Sequence, residues 1–165
     1  MLAIRRFPDP ILKAPTKRVD ALDASIRRLI DGMIAAMRHH PHCVGLAAPQ
    51  VGSHWRVAVM DATLHPKGKQ GQGLIVLVNP VIEQEDGPTI QREGCLSVPD
   101  FTANVRRSLS VRVSAYDEHG APHTWSFEGF EAIVAQHEVD HLDGKLFLDR
   151  VANLATDVFR RKTYR

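Results

Sequence analysis

The residues best equipped for chemistry stand together late in the chain: His137-Glu138-Val139-Asp140-His141, an HExxH pattern. Histidines four residues apart on a helix lie one turn apart on one face, so both imidazoles can reach a single ion. Phe130, Ile133, Val134, His137 and His141 continue one stripe at 3.6-residue spacing, which puts the histidines on the buried side. Two buried imidazoles without partners carry a desolvation cost that a metal removes. Glu138, next to His137, is placed to take a proton from water made acidic by the ion. The competing reading is a chance HExxH on a solvated helix, and the apolar stripe weighs against it.

A catalytic metal site needs a third ligand and an open position. Downstream of the HExxH, the candidates are Asp143, Asp149 and Asp157. Upstream stands Glu93-Gly94-Cys95-Leu96-Ser97-Val98-Pro99, with a soft thiolate donor in a chain that has only two cysteines. A Cys-His-His site is the simplest closure, although Cys95 alone would read as a buried structural cysteine. A third segment, Gly45 to Gly52, is rich in small residues that let backbone approach a ligand. Gln50 offers an amide that could donate to a developing oxyanion. By itself that segment reads as readily as tight packing beside a sheet.

Taken in order, GLAAPQ (Gly45 to Gln50), EGCLS (Glu93 to Ser97) and QHExDH (Gln136 to His141) resemble the three signatures of the peptide deformylase family. The resemblance covers nearly the whole chain, including Pro10 and Leu12 in the N-terminal arm and the HLDGKLFLDR run from His141 to Arg150. It implies one divalent metal on Cys95, His137 and His141, with Fe2+ expected and Zn2+, Ni2+ or Co2+ as substitutes. It implies Glu138 as general base and later proton donor, with Gln50 and the Leu96 N–H as oxyanion donors. The implied substrates are N-formyl-methionyl nascent peptides, and the products are formate and a free N-terminus. Val44 and Gly45 would offer backbone to the peptide, and Phe130, Ile133 and Val134 would line the methionine pocket. Glu93 and Arg107 would support the site from behind.

The chain departs from the family pattern at two places. Cys43 stands where the family usually has glycine, which adds bulk and a second sulfur at the edge of the substrate groove; a packed thiol is the equal alternative. Oxidation of that sulfur is a further expectation. Thr102 stands where some members carry an arginine.

These segments need a frame to hold them. Residues 23–39 read as a helix with Ile26, Leu29, Ile30, Met33 and Met37 on one face, capped by Asp20 or Asp23 and ended by Pro41. Arg56–Met60 and Leu74–Asn79 read as short strands, and His65–Gly73 between them as a mobile loop. Leu109–Ala115 alternates like a strand, followed by a turn at Asp117–Gly120 and a return strand through Trp125. A second helix spans about Gly129 to Asp143, with Gly144 as C-terminal cap. Residues 1–20 read as an irregular surface arm, and a basic tail of Arg160, Arg161, Lys162 and Arg165 as a solvated terminus, with contact to the ribosome surface as the weaker alternative. The expected fold is α+β: a mostly antiparallel sheet around a central HExxH helix, with an N-terminal helix and a short C-terminal tail. One catalytic domain, 1–165, is expected.

Composition narrows the remaining classes. A net charge of +2 over 165 residues forces no specific nucleic-acid role. No stretch approaches the roughly 20 apolar residues of a membrane span, so no membrane partner is expected. MLAIRRFPDP lacks the apolar run of an export signal, and two cysteines suit a reducing compartment; the expectation is bacterial cytoplasm, with organellar origin also open. His39, His40 and His42 resemble a metal cluster but read as a polar helix end. The rivals are a zincin-like endopeptidase, a non-catalytic relative, and a related enzyme with another N-acyl substrate.

Overall fold

The computed structural model describes residues 1–162. The first helix, α1 (Ala24–His39), starts where the Asp23 carboxylate accepts the Ile26 N–H at 3.0 Å. That side chain satisfies one of the N–H groups a helix start leaves open. Ile26, Ile30, Met33, Ala36 and Met37 form its buried face, as the spacing predicts; Leu29 sits half-buried at its edge.

The sheet contains β1 (Gly45–Ala47), β2 (Val57–Met60), β3 (Ile75–Cys95), β4 (Val98–Tyr116), β5 (Pro122–Glu128) and β6 (Val158–Arg160). Strands β1 to β5 follow one another in space as in sequence, each antiparallel to the next. Strand β6 pairs with β4 at Phe101, Thr102 and Ala103, on the side that β5 leaves open. β3 and β4 form one long hairpin whose turn is Leu96-Ser97, so the Cys95 segment lies at its tip.

β3 is far longer than the short strand expected at Leu74–Asn79. The register shifts between Val78 and Val81, between Ile82 and Gln84, and between Glu93 and Cys95. Each shift reverses which face a residue meets, so no continuous alternation survives in the sequence. Pro80 and Pro88 also break the pattern.

The second helix, α2 (Gly129–Leu142), carries the HExxH. Its residues are buried on nearly every side: Glu131, Ala132, Ala135, Gln136, Val139 and Leu142 are as enclosed as Ile133 and Val134. This corrects the one-stripe reading, since a helix surrounded by sheet and loops has no solvated face. Ala132, Val134, Ala135 and Leu142 pack with Ala58, Met60, Leu77, Val113 and Phe127 of the sheet. Gly144 closes the helix at φ +75°, and a Cβ there would meet the Lys13 carbonyl at 2.8 Å.

Two other expectations change. The segment 65–73 is pinned: the Glu131 carboxylate accepts the Gln72 backbone N–H at 2.8 Å and its side-chain amide at 3.0 Å. The start of the C-terminal tail is held, because Val158–Arg160 is strand and Phe159 lies under the Arg92 guanidinium at 3.7 Å, while the basic side chains of Arg160, Arg161 and Lys162 are exposed as expected. Arg165 lies outside the described residues. The N-terminal arm is irregular as expected, yet Leu12 is fully buried against Val98, Leu146 and Phe147.

Candidate metal centre

Cys95 ends β3, and α2 presents His137 and His141 one turn apart; the three side chains meet although Cys95 lies far upstream. Cys95 Sγ is 3.4 Å from His141 Nε2, which is 3.2 Å from His137 Nε2. Donor atoms about 2.0–2.3 Å from a tetrahedral ion stand roughly 3.3–3.8 Å from one another. The observed separations are close to those edges. Two imidazole nitrogens and a sulfur this near cannot all be satisfied by exchanging protons, whereas one cation suits all three. His141 Nδ1 is buried with no hydrogen-bond partner among the described residues. The residues present therefore fit a metal ion.

The downstream carboxylates lie outside the cluster. Asp143 pairs with Arg56 at 2.8 Å, Asp149 pairs with Lys13, and Asp157 lies in the turn before β6. Among the described residues, Cys95, His137 and His141 form the only group of three able to converge on an ion. His39 and His40 stand edge to face at 5.4 Å and form no such group.

Behind the cluster runs a chain of buried charge. His137 Nδ1 is 2.8 Å from Glu93 Oε1. Arg107 donates to both Glu93 oxygens, at 2.7 and 2.9 Å, and also to Asp140. Arg150 donates to Asp140 at 2.8 and 3.1 Å. Burial alone would raise the Glu93 carboxyl, but hydrogen bonds from His137 and Arg107 bring it down to about 2. Glu93 thereby fixes the orientation of the His137 ring and which nitrogen faces the cluster. The sequence hinted at Glu93 and Arg107; Asp140 and Arg150 were visible only as members of motifs.

Glu138 is 4% exposed, and its Oε2 has no hydrogen-bond partner among the described residues. Burial pushes its carboxyl up to about 7, against the pull of the nearby His137. That is the range in which a carboxyl exchanges protons efficiently near neutral pH. Its Oε1 stands 2.6 Å from where a Cβ on Gly45 would lie, so glycine at that position of β1 leaves the carboxylate its place.

A cleft of about 310 Å³ opens over these groups. Phe130, Ile133 and Val134 of α2 give it an apolar side, and Val44, Gly45, Leu96 and Glu138 also line it. Gln50 sits in the 3-10 turn after β1, 2% exposed. Its Oε1 accepts the Ala47 N–H at 3.0 Å, which aims Nε2 at Ser97 Oγ (3.2 Å) and Cys95 Sγ (3.4 Å). Residues 1–157 match the polypeptide deformylase family model.

The chain belongs to the peptide deformylase family.

Peptide deformylase 1 of Pseudomonas syringae pv. tomato is 44% identical over 163 residues, covering 98% of this chain and 94% of that protein. The peptide deformylase structure from Legionella pneumophila superposes with a TM-score of 0.85 at 38% identity, over 93% of this chain and 88% of that one. That from Thermotoga maritima gives 0.84 at 38% identity, over 93% and 99%. The family is metal-dependent, and this deformylase hydrolyses N-formyl peptides.

Within this deformylase, Cys43, Val44, Gly45, Gln50, Cys95, Leu96, Phe130, Ile133, Val134, His137 and Glu138 all line the cleft; His141 lies beneath it, 1% exposed. The Cys43 thiol donates to the Gly45 carbonyl at 3.2 Å and packs with the α1 core, so it is both a cleft residue and a packed thiol. Burial pushes it up to about 12, and the negative charges of Glu138 and Cys95 add to this. Thr102 lies on β4, paired with Phe159 of β6. His42, His65, Lys67 and Arg161 also line the cleft; the sequence placed His42 in a polar helix end, His65 and Lys67 in a loop and Arg161 in a basic tail, and assigned none of them to the site.

Proposed function

We propose that Cys95, His137 and His141 hold the single divalent metal of this deformylase, as Fe2+ with Zn2+, Ni2+ or Co2+ as substitutes, and that Glu138 is the general base. The observation that carries this reading is the meeting of Cys95 Sγ, His141 Nε2 and His137 Nε2, with His141 Nε2 3.4 Å from the sulfur and 3.2 Å from His137 Nε2 and all three ligand atoms within 4.8 Å of one another, beside a buried, unpartnered carboxylate oxygen of Glu138. When bound, the metal supplies Lewis acidity and lowers the pKa of water at the site. Glu138 takes that proton and returns it to the leaving amine. Gln50 Nε2 and the Leu96 N–H donate to the formyl oxygen as charge grows there, each such donor being worth about 3 kcal/mol. Glu93 keeps the His137 ring oriented throughout. Phe130, Ile133 and Val134 take the methionine side chain, while Val44 and Gly45 meet the peptide backbone and Cys43 borders it.

The substrate is the N-formyl-methionyl terminus of a new peptide, with formate released. Cys95 as third ligand, in place of a downstream group, favours this reading over a zincin-like endopeptidase. The presence of Gln50, Cys95 and Glu138 together favours an active enzyme over a non-catalytic relative. We further propose one catalytic domain over 1–165 acting in the bacterial cytoplasm, with the exposed Arg160 and Lys162 near the C-terminus solvated and the ribosome surface as their secondary contact. No helix among the described residues is long and apolar enough to cross a membrane.

Anaerobic purification, metal analysis and formate release from formyl-Met-Ala test the assignment together. The wild type is expected to carry one metal per chain and release formate without cleaving casein. Cys95→Ala is expected to lose the metal; full occupancy with unchanged affinity would remove Cys95 from the site.

A further inference from the structure

We infer that Arg161 is a specificity residue of this deformylase, gripping a carboxylate side chain on the residues that follow formyl-methionine. The inference rests on the formyl-peptide reading of the cleft. β6 pairs with β4, and the Arg161 N–H continues that edge by donating to the Asp100 carbonyl at 2.8 Å. The side chain then enters the cleft that holds Cys95 and Glu138. Its guanidinium occupies the space that a Cβ on Gly94 would fill, one residue before Cys95. Thr102 Cγ2 lies 3.4 Å from that same point, so a glycine and a small threonine together make room for it.

Charge around the cleft is one-sided. Among the described residues no carboxylate pairs with Arg161. Lys67, His42 and His65 stand elsewhere on the lining. Arg92 is already stacked on Phe159. The two acids of the lining are Glu93, bound by Arg107 and His137, and Glu138, which is buried. The outer cleft therefore offers cations with no exposed acid to answer them. A guanidinium is the side chain best shaped to take a carboxylate through two parallel bonds. The apolar wall of Phe130, Ile133 and Val134 is on α2, whereas Arg161 is on the β3–β4 side. An extended peptide advances about 3.3 Å per residue, so with methionine seated against α2 the residues that follow it are left to the rest of the lining, Arg161 included. A growing chain has no free C-terminus there, so the carboxylate is that of Asp or Glu.

The test compares formate release by metal-loaded enzyme from amide-capped formyl-Met peptides with Asp, Ala or Lys at position two or three. The wild type is expected to favour Asp over Lys by up to about fivefold in kcat/KM, mainly through KM, as an exposed charge pair allows. The preference is expected to fade in high salt. Arg161→Ala is expected to bring the ratio close to one, and Arg161→Lys to keep part of it. Arg161→Glu is expected to invert it towards Lys, which loosening of β6 alone cannot do. Release from the alanine peptide tests the deformylase reading separately. An Asp-to-Lys ratio equal in wild type and Arg161→Glu would overturn the inference. So would a preference confined to uncapped formyl-Met-Ala, which would assign the carboxylate to a peptide C-terminus.

Discussion

Replacing Arg107 with methionine removes the cation at the centre of the buried charge chain while keeping most of its volume. The side chain is 2% exposed and serves two carboxylates, Glu93 and Asp140, whose side chains are 7% and 6% exposed. Asp140 keeps Arg150 as a second partner. Glu93 keeps only His137, so the loss falls mainly on Glu93. Breaking a buried ion pair from one side costs about 3–5 kcal/mol, because the remaining charge stays desolvated. Against a typical total of about 5–15 kcal/mol, that is a large share. With a urea slope of about 2 kcal/mol/M for a chain of this size, the midpoint should fall by about 2 M. Urea titration followed by circular dichroism, at matched metal loading, reads this directly. A double-mutant cycle with Glu93→Gln should show coupling above about 1 kcal/mol, since both changes strike one network. A midpoint shift under about 0.5 M, or strictly additive losses, would refute the view that Arg107 neutralises a desolvated Glu93.

Glu138→Gln should keep the metal by elemental analysis and lose formate release on the order of 10²–10⁴-fold, the range for a general base; an active variant would overturn that role. Gly45→Ala should leave metal content intact and reduce kcat by about tenfold or more, because the new Cβ meets Glu138 Oε1 at 2.6 Å and displaces the carboxylate. Unchanged kinetics would show that Glu138 is free to shift. Cys43→Gly should free the Gly45 carbonyl from its 3.2 Å thiol contact and raise kcat/KM on formyl-Met peptides severalfold. The same change should lower stability by about 1–2 kcal/mol through lost packing and added backbone freedom. Equal kinetics in the two proteins would leave Cys43 a packing residue alone.

What could be read from the chain alone was set by local geometry. The i, i+4 spacing of His137 and His141 holds on any helix, and the Asp23 cap with the Ile26–Met37 face defines α1 without reference to the rest of the molecule. The three motifs, through their resemblance to the family's signatures, pointed to Gly45, Gln50, Cys95, Leu96, His137 and Glu138, all of which line the cleft. Tertiary structure decided what depends on strand register and on distant packing. Cys95 meets His141 because the β3–β4 hairpin, with its bulge between Glu93 and Cys95, turns that sulfur towards α2. Arg107 lies opposite Thr89 on the same hairpin yet reaches Glu93 and Asp140, a meeting that no spacing in the sequence announces. The stripe on α2 misled because burial on every side erases the polar face from which helix periodicity is read. Arg161 is one of several basic residues near the chain end, and only the three-residue pairing of β6 with β4 carries it into the cleft. A side chain's chemistry is written in its residue type, but the partner it meets is fixed by backbone pairings dozens of residues away.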